Sequence, residues 1–208
     1  MTGSNPGPDD GVVYIVEDDE AMRSSLLWLV ESVGLTVQAF SNASDFLDAH
    51  DTTRPGCLVL DVRMPGMGGF ELQEALESAR AALPIIFVSG HGDVPMSVRA
   101  MKKGAFDFIQ KPFNSQTMLD CIQAALREGA TRFERRREQA AVEAKLAQLS
   151  PRERSVLDKV VEGKSSKQIA HELGISSKTV DVHRASIREK FAVKSVAELI
   201  KMVLSNTS

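Results

Sequence analysis

The sequence predicts two domains: an open, doubly wound α/β domain built on a five-stranded parallel sheet, then a small all-α domain of four helices. Three observations predict them. Short apolar runs, "VVYIV", "TVQAF", "CLVLD", "IIFVS" and "FDFIQ", alternate with amphipathic stretches as far as residue 128. From residue 150 the periodicity is helical throughout. The charge also changes sign: residues 1 to 128 hold 9 Lys/Arg against 18 Asp/Glu, net −9, and residues 129 to 208 hold 16 against 10, net +6.

A chain of 208 residues with 43% hydrophobic content suits two cores of this kind. Its start, "MTGSNPGPDDG", is polar, so residues 1 to 10 are expected to be disordered. No apolar run approaches the roughly 20 residues of a membrane helix, and a cytoplasmic protein without membrane contact is expected. Cys57 and Cys121 lack metal-ligand spacing and read as reduced, buried small hydrophobes.

In the first domain the apolar runs lack polar alternation, as strands covered on both faces do. Helices are expected near 20 to 33, 44 to 50, 68 to 79, 94 to 103 and 114 to 128. In open α/β sheets the site lies at the carboxyl ends of the strands. Glu17 and Asp18 follow the first strand, Asp61 ends the third, Ser89 ends the fourth and Lys111 follows the fifth. Independent capping would explain each residue singly, but not the set. Asp19 and Glu20 open the next helix, where acids complement the helix dipole.

"IVEDDEAMR", "CLVLDVRMPGMGG" and "FVSGHGDVPMSVRAMKKGAFDFIQKPF" together resemble the signatures of a two-component response-regulator receiver domain, a flavodoxin-like fold, over residues 11 to 128. The resemblance implies that Asp61 is the phospho-acceptor, that the acidic pair binds Mg²⁺ or another divalent cation, and that Ser89 and Lys111 contact the phosphoryl group. A carboxylate attacks phosphorus poorly unless a metal and a cation neutralise the developing charge. Mg²⁺ needs only one or two carboxylates and keeps waters. Asp18 and Asp61 are expected as direct ligands with the backbone carbonyl of Arg63, and Glu17 through water. Relatives commonly carry Asp at the position of Glu17 and often Thr at that of Ser89; both replacements keep the oxygen that the chemistry uses. The family pattern also implies that Ser89 moves toward the phosphate while Phe108 turns inward. "KP" at 111 to 112 resembles the family's cis peptide; the resemblance places His91 where side chains tune attacking-water access, and a plain surface loop histidine is the alternative and simpler reading.

The segment "SSKQIAHEL", "GIS", "SKTVDVHRASIREKF" reads as helix, tight turn and helix, with Ser176 as the second cap. Four helices are expected, near 151 to 162, 166 to 173, 177 to 191 and 195 to 204. The stretch resembles the LuxR-type helix-turn-helix of the NarL/FixJ response-regulator family. Val180, Ile187 and Phe191 share one face and should pack inward. The resemblance places Lys178, Thr179, Asp181, Val182, His183, Arg184, Ala185 and Arg188 toward DNA. Lys178 suits a base or phosphate, and Val182 or Ala185 a thymine methyl. Asp181 either accepts from a cytosine amino group or points past the groove. Lys164, Lys167, Lys190 and Lys194 are phosphate contacts or plain surface lysines.

Residues 129 to 149 are charged and Ala-rich, a helical linker that extends the last receiver helix with an interruption at Gly129. Phe133, Val142, Leu146 and Leu149 are its sparse apolar contacts, and "RRR" at 135 to 137 reads as solvated.

The whole is expected to be a transcription regulator phosphorylated by a sensor histidine kinase. It would dimerise, bind promoter DNA with paired half-sites and have RNA polymerase as a further partner. Family likeness places the dimer face around Val98, Arg99 and Lys103 and around Leu199 and Met202. An aspartyl phosphatase would need a second acid where Arg63 stands, so an enzyme is not expected. A phosphorylation-independent DNA-binding or interaction module with a vestigial receiver is the alternative.

Overall fold

The structure is a computed structural model and describes residues 11–79, 81–90 and 94–205. The first ten residues and His91 lie outside them. The chain divides into two compact units, Met1–Glu134 and Arg135–Ser208.

In the first unit, β1 (Val12–Val16), β2 (Thr36–Phe40), β3 (Gly56–Asp61), β4 (Ile85–Ser89) and β5 (Asp107–Gln110) form one parallel sheet in the order β2-β1-β3-β4-β5. The apolar runs of β1, β3 and β4 are buried on both faces, as the lack of alternation requires. Side chains nevertheless alternate between two cores. Val12, Tyr14 and Val16 point to one and Val13 and Ile15 to the other. Helices α2 (Ala43–Ala49), α3 (Gly69–Ser78) and α4 (Val94–Lys102) cover the first core. Helices α1 (Glu20–Glu31) and α5 (Ser115–Ala147) cover the second. Both cysteines lie there unpaired, and burial pushes the Cys121 thiol up to about 12.

The expected break at Gly129 is absent, since α5 runs unbroken through it. A β-carbon on Gly129 would lie 2.1 Å from the carbonyl oxygen of Gly56. The glycine lets the helix seat against the start of β3 rather than ending it.

In the second unit, α6 (Pro151–Val161), α7 (Ser166–Leu173), α8 (Ser177–Phe191) and α9 (Val196–Ser205) follow the end of α5. Ser150 and Glu153 form a capping box on α6, and Ser165 and Gln168 form one on α7. Gly174 ends α7 in the left-handed conformation, and Ser176 caps α8 at the nitrogen of Thr179. Val180, Ile187 and Phe191 are buried as their spacing predicted, among Val156, Leu157, Val160, Ile169 and Leu199. Val142 joins this core, with Leu146 and Leu149 against it. Leu199 is 2% exposed, so it belongs to the core of its own domain and is removed from the expected dimer face.

Candidate functional site

Parallel pairing carries the ends of four strands to one rim. Val16 pairs with Leu60, Asp61 with Val88 and Ser89 with Gln110, so Glu17, Asp61, Ser89 and Lys111 lie at neighbouring strand ends. Glu17 is 2% exposed and Asp61 7%, Ser89 is equally buried, and Asp18 is open to solvent. The Lys111 ammonium donates to Glu17 Oε2 at 2.6 Å and to Asp61 Oδ1 at 2.8 Å. The Arg63 amide donates to Asp61 Oδ2 at 2.7 Å, so both oxygens of Asp61 are held. The backbone nitrogen of Lys111 donates to the carbonyl of Ser89 at 2.9 Å, and the Lys111–Pro112 peptide is cis.

The electrostatics follow from this crowding. Desolvation raises the Glu17 pKa, and the Asp61 carboxylate adds to that despite the hydrogen bond from Lys111. Burial alone would depress the Lys111 ammonium, but the bonds to Asp61 and Glu17 outweigh it and hold its pKa above the ordinary value.

Carboxylate oxygens of Glu17, Asp18 and Asp61 lie within 4.8 Å of one another. This all-oxygen donor set, with waters able to reach Asp18, fits a hard divalent cation such as Mg²⁺. Two residues that the sequence reading gave other roles, or none, shape the turn that presents it. Arg23 donates to the carbonyls of Glu17 and Asp18 at 2.8 and 3.1 Å. Asp19 is a true N-cap, accepting from the nitrogen of Met22 at 2.7 Å, which is more specific than dipole complementarity. Gly69 is constrained as well: a β-carbon there would meet the Asp61 carbonyl oxygen at 2.4 Å.

Phe108 on β5 is half-buried against the first core. On the neighbouring surface Val98 is exposed, Arg99 lies over the Phe70 ring at 4.6 Å from its centroid, and Lys103 is ion-paired with Glu74. Gln73 Nε2 donates to the Lys103 carbonyl and ties α3 to the end of α4.

In the second unit α7, the turn at Gly174 and α8 form the helix-turn-helix. On α8, Lys178, Thr179, Asp181, Val182 and Ala185 are exposed, and Val182 is 61% so. His183 and Arg184 are half-buried. Arg188 is also half-buried, with its Nε enclosed and unpartnered among the described residues, so it faces outward less than the resemblance implies. Asp181 is neither free nor merely solvated: Ser166 Oγ donates to its Oδ1 at 2.7 Å, and Arg184 Nη1 donates to Ser166 Oγ at 3.0 Å.

Two of the four surface lysines have acidic partners. Lys164 lies between Glu162 and Glu172 at 2.9 and 2.6 Å, and those bonds raise its pKa. Lys190 donates to Glu153 Oε2 at 2.7 Å. Glu153, unremarked in the sequence, is buried yet fully bonded: Lys190, Ser186 and the nitrogen of Ser150 hold its carboxyl down at about 2. Its signal was the capping-box spacing from Ser150. Among the described residues no helix is long and apolar enough to cross a membrane.

Comparison with known proteins agrees with both halves. Residues 13–123 match the family model of the response regulator receiver domain, and residues 147–203 that of bacterial regulatory proteins of the luxR family. The chain is 46% identical over 196 residues to the transcriptional regulatory protein TdiR of Thauera aromatica, across 94% of this chain and 86% of that protein. It is 42% identical over 197 residues to the transcriptional regulatory protein FixJ of Azorhizobium caulinodans, across 95% and 93%. The solved structure of the response regulator StyR superposes with a TM-score of 0.75 at 45% identity, covering 93% of this chain and 98% of that one.

Proposed function

The chain belongs to the NarL/FixJ family of transcriptional response regulators, a receiver domain followed by a LuxR-type DNA-binding domain, and on that premise we propose that phosphorylation of Asp61 by a sensor histidine kinase switches its binding to promoter DNA. The observation that carries this reading is the contact of one ammonium, Lys111, with both Asp61 and the buried Glu17 at the sheet rim.

Asp61 Oδ2 is held by a backbone amide and Oδ1 by a flexible side chain. Oδ1 is therefore the oxygen that can be released to attack phosphorus, as the Lys111 ammonium shifts onto the incoming phosphoryl oxygens. The new O–P bond forms as the donor's bond to phosphorus breaks. Asp18, Asp61 and the carbonyl of Arg63 would hold Mg²⁺, with Glu17 acting through water. A bound Mg²⁺ supplies charge neutralisation for the carboxylates and the phosphoryl oxygens. The buried Ser89 hydroxyl and half-buried Phe108 then form the switch: Ser89 moves to the phosphate and Phe108 turns into the space it leaves.

The phosphorylated chain dimerises through the surface of Val98, Arg99 and Lys103 and through α9 near Met202, and two helix-turn-helix units take paired half-sites. RNA polymerase is a further partner, and the protein acts in the cytoplasm. With Arg63 two residues after Asp61, it is a phospho-acceptor with at most slow self-dephosphorylation rather than a turnover enzyme.

The test is incubation of the purified chain with Mg²⁺ and acetyl phosphate, followed by intact mass and solution molar mass. One added phosphoryl group that Asp61→Ala abolishes, together with dimerisation, is the expected result. No adduct, under conditions where a known receiver labels, would turn attention to DNA binding by the unmodified chain.

A further inference from the structure

On the recognition helix α8, Asp181 is an anion on a surface read as facing a polyanion. Near phosphates an uncompensated carboxylate repels. Its setting here is built: Ser166, the first residue of α7, donates its hydroxyl proton to Asp181 Oδ1 at 2.7 Å. The same hydroxyl oxygen accepts from Arg184 Nη1 at 3.0 Å. Arg184 and Asp181 sit one turn apart on α8, so a cation on that helix orients an acid on the same helix through a hydroxyl on α7. Among the described residues Ser166 is the hydrogen-bond partner of Asp181, and only Oδ1 is engaged.

We propose that Asp181 is a specificity-determining residue that selects cytosine at one position of each half-site, and that Ser166 is the positioning residue that holds it. The proposal rests on the DNA-binding reading above. A carboxylate only accepts hydrogen bonds. The major groove offers donors only from the amino groups of cytosine and adenine. Adenine's amino group is flanked by acceptors on both sides, its own N7 and the O4 of its thymine, which repel the second carboxylate oxygen, whereas cytosine's has an acceptor, guanine O6, on one side only and a C5–H on the other. Thymine O4 and guanine O6 and N7 are acceptors, so the anion rejects both. With Oδ1 tied to Ser166, Oδ2 accepts from cytosine N4. One position along α8, the exposed isopropyl of Val182 suits a thymine methyl.

The experiment selects binding sites from a randomised duplex pool with the full-length chain after treatment with Mg²⁺ and acetyl phosphate, then measures affinity for the selected duplex and its single-base variants. Wild type is expected to fix cytosine at one position of each half-site and to lose about tenfold in affinity when thymine replaces it. Asp181→Asn, whose amide pairs with adenine N6 and N7, should move the preference at that position to adenine and leave the rest of the motif readable. Ser166→Ala should flatten the cytosine preference and Ser166→Thr restore it, a rescue that a purely architectural serine would not show in base preference. A specific motif that Asp181→Asn leaves unchanged at every position overturns this proposal alone. No specific motif from wild type overturns the DNA-binding reading and the proposal with it.

Discussion

The ammonium of Lys111 stands between two buried carboxylates, 2.6 Å from Glu17 and 2.8 Å from Asp61. One cation thus holds together a pair of like charges that the sheet topology forces into proximity. Replacing Lys111 by Met is expected to cost about 2 to 4 kcal/mol at neutral pH, because both acids stay buried without their partner. The sign with pH is fixed by Glu17, whose folded pKa is already raised. A raised carboxyl pKa makes the ionised form a penalty at high pH that disappears as pH falls and the group protonates. The deficit of the variant should therefore be largest near pH 7 and shrink toward pH 4, as read by urea denaturation. A deficit independent of pH would mean lost packing rather than repulsion.

Glu153 has the opposite sign. Its carboxyl is held near 2 by Lys190, Ser186 and the Ser150 amide, below an ordinary value of 4.5. A depressed folded pKa gives stability that is present above the ordinary value and is lost as pH falls toward about 2. The C-terminal unit should lose stability over that interval. Glu153→Gln should be less stable than wild type at pH 7 and converge with it at pH 2 to 3, followed by thermal circular dichroism.

Gly129→Ala sets two effects against each other. Alanine favours a helix over glycine by about 1 kcal/mol. The added methyl, however, would lie 2.1 Å from the Gly56 oxygen, and overpacking of this kind costs roughly 1 to 3 kcal/mol, more when the neighbour is backbone. A net loss in chemical denaturation is expected. A net gain would show that accommodating the methyl between α5 and β3 costs less than the helix propensity it adds.

On α9, Leu199→Ala should destabilise the C-terminal unit by about 2 to 4 kcal/mol, as core truncation does. Leu204→Ala should stay within roughly 0.5 kcal/mol, because Leu204 is exposed. Equal effects in denaturant titrations would reverse the assignment of the inner and outer faces of this helix.

What the sequence made legible was whatever is local or follows from topology. Short apolar runs marked the strands, and the caps Ser165 and Ser176 with Gly174 marked the helix-turn-helix. The rule of strand carboxyl ends then gathered Glu17, Asp61, Ser89 and Lys111. What escaped had a different origin. Gly129 gives the same signal whether it breaks a helix or lets one approach a strand, and only the neighbouring backbone decides between them. In "VAELIKMVL" apolar residues fall on most of the helix surface, so the period alone does not say which leucine is inside. The Ser166 bond to Asp181 spans 15 residues, and nothing in either local sequence announces it.

The ion pairs of Lys164 and Lys190 bear on how the protein should respond to salt. Affinity for a polyanion falls with salt according to how many cations displace condensed counterions from phosphates. Lys164 is already shared by Glu162 and Glu172, and Lys190 is neutralised by Glu153. The 16 Lys/Arg of residues 129 to 208 therefore overstate the cations offered to a backbone. A plot of log affinity against log salt should be shallower than that count implies, its slope set by side chains such as Lys178 that stand exposed on the recognition helix.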